Sequence, residues 1–171
     1  MGIIKFVHCA DIHLDAPFRE HGQGSYGDTR RRDIRDAFLN ILKRVKGENA
    51  DFILISGDLY EHGSVVKSTM EWLYMVLSEV AVPVVIIPGN HDPYLLNSWY
   101  KNWEWPSNVT ILTPDNPNLV LENLNVNIYG MGFSSFKEGK PDLSMVSKPK
   151  EGFLNIFMFH GTLDMDFAGN D

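Results

Sequence analysis

Four short polar signatures, Asp11-Ile12-His13, Gly57-Asp58, Gly89-Asn90-His91-Asp92 and His160-Gly161, each follow an apolar run. Hard divalent ions take carboxylate and carbonyl oxygens. Imidazole draws zinc, iron or nickel, and mixed nitrogen–oxygen sites also hold manganese. Two ions held about 3.5–4 Å apart can clamp the attacking and leaving oxygens of an in-line phosphoryl displacement. These residue types therefore point to a dinuclear metal centre acting on a phosphate ester. Asp58 is the candidate bridging ligand, because it tips a central apolar run. Gly57 and Gly89 let the backbone turn sharply or approach closely beside it. A lone Asp-x-His, or a Gly-Asp after an apolar run, is commonly a surface turn. The signatures in this order, at strand–helix spacing, are specific.

The runs that must position them are Ile3–Val7, Phe52–Ile55, Val84–Ile87 and Leu154–Phe159. The first three are rich in Val, Ile and Phe, and read as strands buried on both faces. In open α/β sheets the ligand crevice lies beyond the carboxyl ends of the strands, so the four signatures are expected at one rim. A helix is expected with Ile34, Phe38, Ile41, Leu42 and Val45 on one face and Asp28 as its cap. It opens on the only dense basic group, Arg30, Arg31, Arg32 and Arg35. That group is either a solvated helix face or a phosphate contact near the loop Asp15–Gly27, which could rim the site. A second helix is expected over Val65–Val80, with Met70, Leu73, Tyr74 and Leu77 inward. Trp99 and Trp103 are four apart, as on one helix face. With Tyr94, Tyr100 and Trp105 they form either a satellite apolar cluster, a stacking platform for unpaired bases or a subunit interface. Val109–Leu112, Leu119–Leu121 and Val126–Tyr129 read as strands of a second sheet, with turn residues between Pro114 and Pro117 and at Asn125. Gly132–Gly152 is polar and reads as a long loop.

The chain has 171 residues, enough for one domain with a real core. Its net charge of −7 argues against DNA binding by the whole surface, though not against a local track beside a cationic metal centre. The single cysteine, Cys9, excludes an internal disulfide and fits a reducing, cytoplasmic setting. Its place in the first strand makes it a buried structural thiol. No apolar run approaches a membrane span, and no secretory leader or acylation signal is expected.

Asp-x-His, Gly-Asp, Gly-Asn-His-Asp and His-Gly, in that order, resemble the signature of the calcineurin-like metallophosphoesterases. Ala10–Leu14, Ser56–Tyr60 and Pro88–Asp92 are similar to the SbcD-type DNA-repair nucleases. Leu14–Phe18 and Trp105–Val109 are similar to a YhaO-like bacterial subgroup. The likeness spans residues 3–162. It implies an α/β fold, a layered α/β/β/α sandwich incomplete at its C-terminal side, in one domain. It implies that Asp11 and His13 ligate a first metal, that Asp58 bridges, and that Asn90 and His160 ligate a second. His91 would face the phosphate without binding metal and stabilise the transition state or protonate the leaving oxygen. Asp92 would assist that step by orienting His91 or its loop. The family's later Gly-His-x-His is missing, and His8, His21 and His62 lie in no such motif. The chain is therefore expected to be the N-terminal piece of a longer, fuller site, folded but catalytically weak alone.

The activity implied is hydrolysis of DNA, as a repair exonuclease, with two divalent ions, manganese first and iron or zinc as alternatives. A phosphatase or nucleotide phosphodiesterase on the same scaffold, or a degenerate binding module, remain as other readings; intact Asp11, His13, Asp58, Asn90 and His91 speak against decay. Expected partners are DNA, an SMC-like ATPase and a second copy of the chain, with no membrane. The meiotic-recombination nuclease of this group places a histidine three residues after its Gly-Asp aspartate. Here Glu61 holds that place, so His62 reads as a loop histidine with no catalytic role.

Overall fold

The structure, a computed structural model, describes residues 2–18, 24–137 and 149–161. Residues 19–23 of the expected rim loop and 138–148 of the expected long loop lie outside the described residues. The helices and strands alternate as β1 (Phe6–Cys9), α1 (Gly24–Gly47), β2 (Phe52–Ser56), α2 (Lys67–Ser78), β3 (Val84–Ile87), α3 (Trp99–Asn102) and β4 (Val109–Ile111). They continue as β5 (Asn118–Leu121), β6 (Val126–Met131) and β7 (Leu154–Phe159). The first four strands form a parallel sheet in the order β1-β2-β3-β4, and β5-β6-β7 form a second sheet.

The unbroken apolar runs of β2 and β3 follow from this layering. Ile53, Ile55, Val84 and Ile86 pack into one core with Phe38 and Val45 of α1 and Met70, Leu73 and Leu77 of α2. Phe52, Leu54, Val85 and Ile87 pack the other way, against Val126, Ile128 and Met158 of the second sheet. A strand covered on both faces has no position for a polar residue. Each such side chain contributes about 1.5–3 kcal/mol by leaving water. Gly130 lies where the sheets touch, and a Cβ there would press on Ile87 and Leu112.

Several expectations are corrected. β1 starts at Phe6 rather than Ile3 and is not buried on both faces; it alternates exposed with half-buried residues. It is an edge strand, paired on one side only, and Phe6 lies open while stacking on Phe52 at 5.2 Å. Cys9 is partly rather than fully buried, and burial still pushes its thiol up to about 11. β4 belongs to the first sheet, parallel to β3 with Val84 opposite Val109. The Asn108 side chain donates to the carbonyls of Leu77 and Val80, and its own carbonyl accepts from the Val84 amide, so the chain is pinned beside β3. α1 begins at Gly24, so Asp28 lies inside it and pairs with Arg31 instead of capping. On α2 the fourth inward residue is Thr69, not Tyr74. Thr69 turns inward because its hydroxyl donates to the buried Asp15 carboxylate. Among the described residues the layers are helices, first sheet and second sheet.

Candidate metal centre

The strand ends do meet at one rim, and the backbone shows how. After β1 and β2 the two loops run side by side. The Asp11 amide donates to the Gly57 carbonyl, the His13 amide to Asp58 and the Leu14 amide to Leu59. Asp11, His13, Asp15 and Asp58 all have left-handed backbones, with φ of 56°, 51°, 62° and 54°. Asp, Asn and His tolerate that region better than other side chains. Gly57 precedes Asp58 with φ 86°, and a Cβ there would meet the His160 ring. A Cβ on Gly89 would collide with the Asp58 carboxylate and amide. Both glycines are thus required by close approach.

Asp92 ties the second and third motifs together. Its carboxylate is fully buried. One oxygen accepts from the amides of Asp58 (3.0 Å) and Gly89 (2.6 Å). The other accepts from the Leu59 amide (2.6 Å) and the Tyr100 hydroxyl (2.6 Å). Burial raises the Asp92 carboxyl, while the Tyr100, Gly89 and Leu59 donors oppose the rise. Asp92, expected to orient His91 or its loop, holds the loop and makes no hydrogen bond to His91 among the described residues.

Around Asp58 the donor atoms converge. His13 Nε2 is 3.6 Å from Asp58 Oδ2 and 3.9 Å from Asp11 Oδ1. His160 Nε2 is 3.3 Å from the same Asp58 oxygen and 3.0 Å from Asn90 Oδ1. The His160 Nδ1–H donates to the Ser56 carbonyl, which aims Nε2 inward. The other Asp58 oxygen accepts from the His91 amide. Burial pushes the Asp58 carboxyl up, but the His160 hydrogen bond, the His91 amide and the two imidazoles hold it below its ordinary value. The hydrogen bond to Asp58 in turn raises His160 to about 9 against its desolvation. Asp11, Asp58 and His160 offer ligand atoms within 4.8 Å of one another. Carboxylates, imidazoles and an amide oxygen form the donor set that borderline divalent ions take, so the residues present fit such ions.

Glu61 is a site residue that sequence reasoning misses. Its Oε1 is 2.8 Å from His13 Nδ1 and its Oε2 is 3.1 Å from His91 Nδ1. The three also bring ligand atoms within 4.8 Å of one another. Both contacts are of hydrogen-bond length, so we read a carboxylate accepting two imidazole N–H groups rather than a third metal position. A carboxylate on one ring nitrogen fixes the tautomer and frees the other nitrogen for a ligand. The signal that could have found it is its place three residues after Asp58. His62 stands apart: its amide donates to the His91 carbonyl and its ring meets Phe136 edge-on.

A family model described as calcineurin-like phosphoesterase matches residues 4–169. The chain is 28% identical to a Bacillus subtilis protein named uncharacterized metallophosphoesterase YhaO, over 94% of this chain and 41% of that one. It is 34% identical to the DNA double-strand break repair protein Mre11 of Archaeoglobus fulgidus, over 52% of this chain and 19% of that one. It is 29% identical to the SbcD subunit of the SbcCD nuclease of Staphylococcus saprophyticus, over 79% of this chain and 35% of that one. The chain thus spans less than half the length of each of these relatives.

Proposed function

This chain belongs to the calcineurin-like phosphoesterase family, and on that premise we propose that the full-length protein is a two-metal phosphodiesterase that hydrolyses DNA. The observation that carries the metal assignment is the single Asp58 oxygen lying 3.6 Å from His13 Nε2 and 3.3 Å from His160 Nε2. Asp11, His13 and Asp58 would hold one ion, and Asp58, Asn90 and His160 would hold the other. Bound there, divalent ions supply Lewis-acid charge and a water of lowered pKa. Manganese suits this mixed oxygen and nitrogen set. Two relatives carry the names of a nuclease subunit and a DNA-break repair protein, which supports DNA as the substrate.

The chain's own residues then do the following. His91 is half exposed with Nδ1 3.1 Å from Glu61 Oε2, which leaves Nε2 as its second nitrogen for a phosphate. A proton held at Nε2 can pass to the leaving oxygen, and the Glu61 carboxylate stabilises the ring while it is charged. Asp92 keeps the Asp58 and Gly89 loops in register. The test is an assay of the full-length protein with manganese on labelled duplex DNA, single-stranded DNA, phosphomonoesters and cyclic nucleotides. Cleavage of DNA is expected. Efficient turnover of the small esters with no action on DNA would replace the substrate assignment by a phosphatase or nucleotide phosphodiesterase.

A further inference from the structure

A concavity of about 650 Å³ opens beside the loop that follows His13. Its walls include Asp15, Phe18, Asp28, Arg31, Arg32 and Arg35. It begins close to the centre, because Asp15 is two residues past His13 and two residues span no more than about 7 Å. Among the described residues three guanidinium groups and two carboxylates line it, an excess of one positive charge in a chain of net charge −7.

The three arginines are not equivalent. Arg35 is committed to the fold. Its guanidinium donates to Asp15 (3.2 Å) and Thr69 (2.7 Å) and lies over the Trp72 ring at 5.3 Å. Arg31 donates to Asp28 across one helical turn at 2.6 Å, with four of the five donors of a guanidinium left over. Arg32 is exposed and makes no ion pair or hydrogen bond among the described residues. Phe18 presents an exposed ring on the same wall, 38% accessible. Unspent, forked donors match a phosphate, and an open aromatic face takes a base in any sequence. A volume of this size holds one small-molecule-sized unit and admits a single strand, not a duplex.

We propose that this cavity is a subsite for the nucleotide that flanks the scissile phosphate on one unpaired strand. Arg31 and Arg32 grip its phosphate and Phe18 stacks its base. The proposal rests on the reading of the centre as a DNA phosphodiesterase, and it adds that the substrate end is single-stranded where it enters.

The experiment uses the full-length protein and a fluorescein-labelled six-nucleotide oligothymidylate. Binding is read by anisotropy in chelator, as a function of salt. The same variants are assayed with manganese for turnover of bis(p-nitrophenyl) phosphate, which carries no second phosphate for these arginines to grip. Arg32→Gln is expected to weaken binding about tenfold. Arg31→Gln with Arg32→Gln is expected to lower the slope of log affinity against log salt by about 0.7, one phosphate contact on a single strand. Arg30→Gln, on the same helix but paired with Asp33 outside the cavity, is expected to bind as the parent does. Small-ester turnover should be unchanged in all of them. Unchanged oligonucleotide binding in the double variant, an equal loss in Arg30→Gln, or a parallel loss of small-ester turnover would each overturn the subsite. If the parent binds the oligonucleotide through these arginines yet never cleaves DNA, the subsite stands and DNA hydrolysis falls.

Discussion

Two carboxylates divide the work at the centre, and their substitutions should separate cleanly. Asp58 offers one oxygen to the imidazoles on both sides. Asp58→Asn is therefore expected to lower metal content at both positions and abolish hydrolysis; two tightly held ions by elemental analysis would refute its bridging role. Glu61 touches His13 and His91 but neither Asp11 nor Asp58 among the described contacts. Glu61→Gln puts an amide N–H where one ring N–H must donate. It is expected to weaken metal binding about 10–100-fold, the usual worth of a residue behind a ligating histidine, and to lower turnover even when metal is saturating. His91→Ala should keep the metal and cost about 10²–10⁴-fold in turnover; loss of a metal equivalent would mean the role is misassigned. On the proposed ligation, protons would compete with metal at His160. With His160 raised to about 9 by Asp58, the ring is charged at neutral pH and must release a proton to ligate. Apparent metal affinity is expected to rise about tenfold per pH unit up to about pH 9. Calorimetry in buffers of different ionisation enthalpy would count the proton, and a pH-independent affinity would contradict this.

The strand-end loops are as demanding as the ligands they carry. Asp92 collects donors from two loops and from Tyr100 in a site without solvent. Asp92→Ala would leave several buried N–H groups and a buried hydroxyl without acceptors. It is expected to destabilise by about 2–4 kcal/mol, lowering Tm by several degrees; a melting curve unchanged from the parent would contradict the tie. β2, β3 and β7, and the convergence of Asp11, His13, Asp58, Asn90, His91 and His160 at one rim, were legible in the sequence. In β2 and β3 two-sided burial writes an unbroken apolar run, and the rim residues follow such runs. What was hidden depends on partners distant in sequence. Three residues of alternating character at Val109–Ile111 fit either sheet, and only Asn108 reaching the end of α2 decides between them. The inward turn of Thr69 over Tyr74 depends on Asp15, 54 positions away. Glu61 was legible by position but not by role, since its two contacts come from different loops.

The charge of the whole molecule limits how it can meet DNA. At −7 the bulk surface repels a polyanion, so on the proposed function DNA contact is expected to concentrate on the proposed metal centre and on guanidiniums that make no ion pair among the described residues, and salt should weaken it only by the small number of phosphates those groups reach. No helix among the described residues is long and apolar enough to cross a membrane. The central strands β2 and β3 of the first sheet are covered on both faces, by helices and by the second sheet. β7 differs. It is an edge strand of its sheet, and its Met158 faces the core while Phe157 and Phe159 stack on one another with 37% of each exposed. An edge with free backbone groups and an apolar face invites pairing with another chain. The 171-residue chain expressed alone is therefore expected to self-associate through β7. Sedimentation should show mass rising with concentration. Phe157→Ser with Phe159→Ser should restore the monomer without lowering Tm, because neither ring packs in the core between the sheets. A parent chain that stays monomeric over a wide concentration range would show that this edge is harmless as it stands.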